Sequence, residues 1–111
     1  MKIDKQNLNF LNQLSSEIIL LDEDLKVLWL NESALNKGWV LNKSADNIII
    51  DQFSDKTKKS LMSFLLKALN NDGSKTKREF ELTTAANSKR VIDLTVTWSN
   101  EYDVLILEIL C

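Results

Sequence analysis

The sequence predicts an α+β domain: a five-stranded antiparallel sheet, helices inserted between strands 2 and 3, and an N-terminal helix. Three observations carry this expectation. The segments 17–22 and 103–110 are aliphatic on both alternating faces, as strands covered on two sides must be. Residues 56–70 carry one apolar stripe, Leu61, Phe64, Leu65, Ala68 and Leu69, at helical spacing. Residues 77–83 and 89–98 alternate polar with apolar, and the loop around Asn87-Ser88 joins them as a hairpin. Helices gathered between two hairpins mark α+β rather than alternating α/β architecture.

The elements follow in order. Residues 2–14 read as a helix, with Ile3, Leu8, Phe10, Leu11 and Leu14 mostly on one side. Asn7, Asn9 and Asn12 dilute its propensity, so it must dock on something, and Ser15-Ser16 ends it. Strand 17–22 turns at Glu23-Asp24 into strand 26–31. Asn31 then caps a short helix over 32–35, which Gly38 terminates. Between Asn42 and Asp55, where Ile48-Ile49-Ile50 and Phe53 fall among polar residues, short helical turns are expected. Ser54 or Asp55 caps the helix over 56–70, and the run Asn70-Asn71-Asp72-Gly73 ends it. In the last strand Leu105, Leu107 and Ile109 share one face, and Val104 and Ile106 the other. The doubly apolar first and last strands are expected side by side in the centre. The N-terminal helix, or a partner molecule, is then the cover for their outer face.

Composition excludes much chemistry. The chain has 111 residues, 44% hydrophobic and 27% charged, which fits one domain with its own core. No apolar run approaches the ~20 residues of a membrane span, and the start Met1-Lys2-Ile3-Asp4-Lys5 is unlike a secretory signal. A cytoplasmic location is expected, as is no contact with a membrane. There is no His, hence no imidazole base, haem ligand or phosphoacceptor histidine within these residues. The one cysteine, Cys111, cannot form an internal disulfide. Two glycines, Gly38 and Gly73, cannot build a phosphate-cradling loop. A net charge of −2 argues against nucleic acid, and Lys56, Lys58, Lys59 and Lys67 read as a solvated helix face. All basic residues except Arg78 and Arg90 are lysines, so bidentate anion recognition is scarce.

Few clusters offer catalysis. Asp22, Glu23 and Asp24 group three carboxylates, but Ca²⁺ takes about 6–8 oxygens from a spaced loop. A hairpin turn, with Asp22 accepting from nearby backbone amides, is the better reading. Glu79 and Glu81 lie opposite Phe80 and Leu82 on their strand and so face water rather than a dry acid–base site. Cys111 has no His to activate it.

The run Ile18-Ile19-Leu20-Leu21-Asp22-Glu23-Asp24-Leu25-Lys26-Val27-Leu28-Trp29-Leu30-Asn31-Glu32-Ser33-Ala34 resembles the opening of a PAS domain. The long helix, Gly73 and three closing strands follow the same layout, so the resemblance covers about residues 15–110. It implies a PAS-like, profilin-like fold, with residues 1–14 as an N-terminal helix (lid or dimerisation element) and 15–111 as the PAS domain. Asp22 and Asn31 become structural motif residues. The inward stripe and strands become the place for a pocket, with Leu61, Leu65, Ile92, Leu94 and Val96 as its candidate lining; a filled core is the other reading. The chain departs from the common pattern in lacking Gly before Ile48 and in having Leu25 where many members carry Gly.

A closer likeness is to the N-terminal PAS domain of nitrogen-regulation sensor histidine kinases of the NtrB type, through the aliphatic-Leu-Leu-Asp22 strand and the long final strand Val104–Ile109. That likeness implies a non-enzymatic regulatory domain of a two-component kinase. Its implied partners are a second copy of the chain, a C-terminal kinase module and a PII-type signal protein. Ile3, Phe10, Leu11 and Leu14 are the expected dimer contacts. The alternative is a small-molecule sensor with an apolar pocket in another signalling protein. No cofactor is expected, since haem lacks its His and a flavin photoreceptor lacks its internal Cys. The purified chain is accordingly expected to be colourless; a visible absorption band at stoichiometric strength would contradict this reading.

Overall fold

The computed structural model describes residues 5–39, 52–70 and 74–110. An N-terminal 3-10 helix, Lys5–Gln13, leads into strands β1 (Glu17–Leu21) and β2 (Val27–Leu30). Helices α1 (Glu32–Asn36) and α2 (Asp55–Asn70) follow, then strands β3 (Ser74–Thr83), β4 (Lys89–Ser99) and β5 (Val104–Leu110). The sheet is antiparallel with order β2-β1-β5-β4-β3. The two doubly apolar strands are therefore central neighbours, with Ile19 opposite Leu107 and Leu20 opposite Ile106.

Alternation assigns the two faces. Ile19 and Leu21 of β1, Leu105, Leu107 and Ile109 of β5, and Ile92, Leu94 and Val96 of β4 pack with Leu61, Phe64, Leu65 and Ala68 of α2 in the main core. Ile18 and Leu20 point the other way and pack with Leu8 of the N-terminal helix. That is why every residue of β1 is buried. Two hydrogen bonds clip the start of α2 to the end of β3. The Ser54 amide donates to Thr83 O at 2.8 Å, and the buried Thr57 Oγ1 accepts from the Thr83 amide at 3.1 Å.

Three features differ from the sequence expectation. The first helix has the tighter 3-10 winding. At about three residues per turn, Leu8 and Leu11 stack on one face while Phe10 turns away by about 120°. Phe10 is accordingly 63% exposed, rather than sharing the side of Leu8; Leu14, 42% exposed, lies just past the end of this helix at Gln13 and its exposure does not come from the winding. Second, β3 starts at Ser74, before the expected residue 77. Its early half lacks apolar alternation and is held by pairing alone, including Ser74–Thr97 and Thr76–Thr95 hydroxyl bonds of 2.6 and 3.1 Å. Third, a bulge interrupts β3 between Lys77 and Phe80, with Glu79 at φ 54° and its amide donating to Asp93 Oδ1 at 3.0 Å. Glu79 and Glu81 remain exposed, on either side of Phe80, which is buried. The helical turns expected between Asn42 and Asp55, the Asn71-Asp72-Gly73 stop, Ile3 and Cys111 lie wholly or largely outside the described residues.

The core makes a direct stability prediction. Leu65→Ala, at a site with 0% exposure, should lower unfolding free energy by about 2–5 kcal/mol. Leu66→Ala, one position on and 44% exposed, should change it by less than about 0.5 kcal/mol. Urea midpoints at unchanged slope measure the contrast.

Candidate functional site

The β1–β2 turn is built by Asp22. Its Oδ1 accepts from the amides of Asp24 (2.9 Å) and Lys26 (3.0 Å), while its backbone exchanges bonds with Leu25 and Lys26. The acidic cluster's leading carboxylate is therefore spent on backbone rather than open to a cation. Among the described residues no group of three His, Cys, Asp or Glu side chains is placed to hold a metal. The turn requires φ 65° at Leu25, the position where many members of the resembled family carry Gly. A leucine tolerates that conformation because its side chain, 3% exposed, is inserted in the core.

Asn31 closes β2 and is fully buried. Its backbone is still extended (φ −80°, ψ 173°), so the side chain reaches forward as an N-cap. Oδ1 accepts from the Ala34 amide of α1 at 2.9 Å and from the Ile18 amide of β1 at 3.0 Å. Nδ2 donates to Ser16 O and to Leu11 O, both at 3.0 Å. One amide group thus joins the N-terminal helix, β1, β2 and α1. Two outer bonds reinforce the junction: the Glu32 amide donates to Asn12 Oδ1 (2.9 Å) and Ser33 Oγ donates to Leu14 O (2.9 Å).

Held in this way, the N-terminal helix lies over the outer face of β1 and β5. It covers that face only in part: Leu11, Leu28, Trp29 and Ile106 are half-buried around Leu8, Ile18 and Leu20. Phe10 projects from its solvent side, and Leu14, just past its end, is also exposed. Of the four residues expected as dimer contacts, Phe10 and Leu14 are thus accessible, Leu11 is shared with the sheet, and Ile3 lies outside the described residues.

A second constellation sits on the inner face. Gly38, at φ 95°, ends α1: its amide donates to Leu35 O and the Trp39 amide to Ala34 O, at 3.1 and 3.2 Å. This left-handed stop folds the chain back and sends Trp39 inward. Its indole Nε1 donates to Glu17 Oε1 at 2.7 Å. Arg90 of β4 grips the same carboxylate with both terminal nitrogens, the Nη1 bond being 2.7 Å. Glu17 is 3% exposed, and such a bidentate pair is the geometry in which a carboxylate tolerates burial. Sequence reasoning missed this group. The available signal was an acidic residue opening an otherwise aliphatic, doubly buried strand, together with one of only two arginines.

The candidate pocket residues Leu61, Leu65, Ile92, Leu94 and Val96 are each no more than 2% exposed and belong to one buried hydrophobic cluster. They line neither of two clefts found elsewhere. The larger, about 390 Å³, lies between the first turn of α2 and the edge strand β3, with Lys56, Lys77, Phe80 and Lys89 in its walls. The smaller, about 130 Å³, is bounded by Trp39, Phe53 and Arg90.

No family model and no curated protein matches the sequence. Solved structures do match the architecture. The PAS domain of nitrogen regulation protein NR(II) from Vibrio parahaemolyticus superposes with TM-score 0.66 at 15% identity, covering 95% of this chain and 94% of that one. The PAS domain of a Colwellia psychrerythraea protein gives 0.68 at 14% identity, covering 94% and 92%. A PAS domain from a two-component sensor histidine kinase gives 0.61 at 8% identity, covering 96% and 91%. The chain has the PAS fold. Within this PAS fold the Asn31 junction ties the N-terminal helix to the sheet, and no described helix is long and apolar enough to cross a membrane.

Replacing Asn31 tests that junction. Asn31→Ala orphans two amides and two carbonyls and should cost at least about 2 kcal/mol of unfolding free energy. Asn31→Asp keeps the acceptor and the cap but turns a carboxylate oxygen toward Leu11 O and Ser16 O. It should loosen the N-terminal helix selectively, seen as faster amide hydrogen exchange before residue 16 than in β4.

Proposed function

We propose that this chain is the sensory and regulatory PAS module of a cytoplasmic two-component histidine kinase of the nitrogen-regulation type, acting through protein contacts within a homodimer. The observation that carries the reading is the N-terminal helix. It is bolted to the sheet by Asn31 yet presents Phe10 and Leu14 to solvent above an incompletely covered apolar face. Apolar area left in water forfeits roughly 25 cal/mol per Å², so such a patch is matched to a partner surface. A second copy provides one with the same Phe10, Leu11 and Leu14, and Ile3 would extend it.

The likeness to PAS domains of NR(II) and of a sensor histidine kinase supports this assignment. The phosphoacceptor histidine that this chain lacks would come from a kinase module following residue 111, and a PII-type signal protein is the proposed further partner. Burial of Leu61, Leu65, Ile92, Leu94 and Val96 in one core cluster, outside the lining of both clefts, supports contact-based signalling over an apolar ligand pocket.

Sedimentation equilibrium should find dimers at high micromolar concentration. The double substitution Phe10→Asp and Leu14→Asp, at two exposed positions, should give folded monomers, because it places charge in the seam. A monomeric unsubstituted chain would remove the dimer from this proposal. In the gene, the codons after Cys111 should encode a helical segment with a histidine and then an ATP-binding domain; a different output module would remove the kinase assignment.

A further inference from the structure

The Glu17–Arg90 pair does more than neutralise a buried charge, because one of its partners faces a cavity. Arg90 stands in the wall of the 130 Å³ cleft, with about a quarter of its side chain accessible, whereas the Glu17 side chain is 4% exposed. Trp39 and Phe53, in edge contact with ring centroids 5.5 Å apart, form an apolar side of the same cleft. Lys37, Thr84 and Ser88 supply its polar rim. The volume corresponds to about four waters at ~30 Å³ each, enough for a molecule the size of acetate to succinate.

We infer that this cleft binds a small carboxylate, which competes with Glu17 for the Arg90 guanidinium and thereby loosens the N-terminal helix. The guanidinium already accommodates a carboxylate in its fork, so a ligand carboxylate matches its geometry, and a short aliphatic chain matches the Trp39–Phe53 side. Lys37 balances the added negative charge.

The coupling route is short. Glu17 lies between Ser16 and Ile18, whose carbonyl and amide are both held by Asn31. The same Asn31 Nδ2 holds Leu11 O of the N-terminal helix. Weakening the grip on Glu17 frees the first residues of β1 to shift, and the junction shifts with them. This goes beyond the contact-based reading above and does not depend on dimerisation.

The test is a nuclear magnetic resonance titration of the 111-residue chain with acetate, propionate, malonate and succinate, with inorganic phosphate and chloride as separate arms. Two signals are read: the Trp39 indole N–H, bonded to Glu17, and the Asn31 side-chain N–H, bonded to Leu11 O. Saturable shifts of both are expected with at least one carboxylate in the millimolar range. Lys37→Gln, at an exposed position that leaves folding intact, should weaken binding several-fold, and Arg90→Gln should abolish it. Glu17→Gln, which removes the competitor while keeping its shape, should tighten binding several-fold. No saturable shift with any carboxylate, or binding that survives Arg90→Gln unchanged, overturns the site. Saturation by phosphate alone overturns the ligand class. Movement of the Trp39 signal without Asn31 overturns the coupling.

Discussion

A single buried amide holds the architecture together. Asn31 lies where β2 stops and α1 begins, and all four groups it contacts are backbone atoms of other segments or of the next helix turn. The geometry suits an asparagine in particular. Oδ1 meets two amides and Nδ2 meets two carbonyls; a carboxylate lacks the donors, and a shorter hydroxyl cannot span the same four groups. Because a buried backbone group without a partner costs more than a formed bond gains, the junction specifies one arrangement rather than merely strengthening it.

The central strands impose the next constraint. β1 and β5 are apolar on both faces, so α2 and the short α1 can satisfy only one of them. The opposite face needs a second cover, and the N-terminal helix is too short to supply all of it. Its 3-10 winding aligns Leu8 with Leu11 on the sheet but turns Phe10 outward. The same geometry that docks this helix therefore creates its exposed apolar side. Structure and proposed signalling role meet there: a segment held by hydrogen bonds at one end and by few side chains along its length is easily perturbed.

On the inner face, local backbone choices aim the polar residues. Gly38 adopts a conformation that a side chain would strain, and the reversal it makes carries Trp39 to Glu17. Leu25 occupies the same region of backbone space without being glycine, compensated by core burial. Asn87 (φ 64°) and Asp103 (φ 53°) lie at turns before β4 and β5, where asparagine and aspartate accept left-handed geometry most readily.

The sequence by itself determined the fold class, the order of the elements and the pairing of β1 with β5. Those follow from period-2 and period-3.6 patterns, and from the fact that a strand apolar on both faces has to be central. The roles of Asp22 in its turn and Asn31 at its cap were legible too, because both act within a few residues of their own position. What only the tertiary structure decided involves partners far apart in sequence or segments without periodic signal. The grip of Arg90 on Glu17 spans 73 residues, and the reach of Asn31 to Leu11 spans 20. The early half of β3 is polar and becomes a strand only because β4 extends beside it. The five candidate pocket residues lie in the main core, but whether inward faces enclose space or fill it depends on side-chain interdigitation, which no one-dimensional pattern encodes.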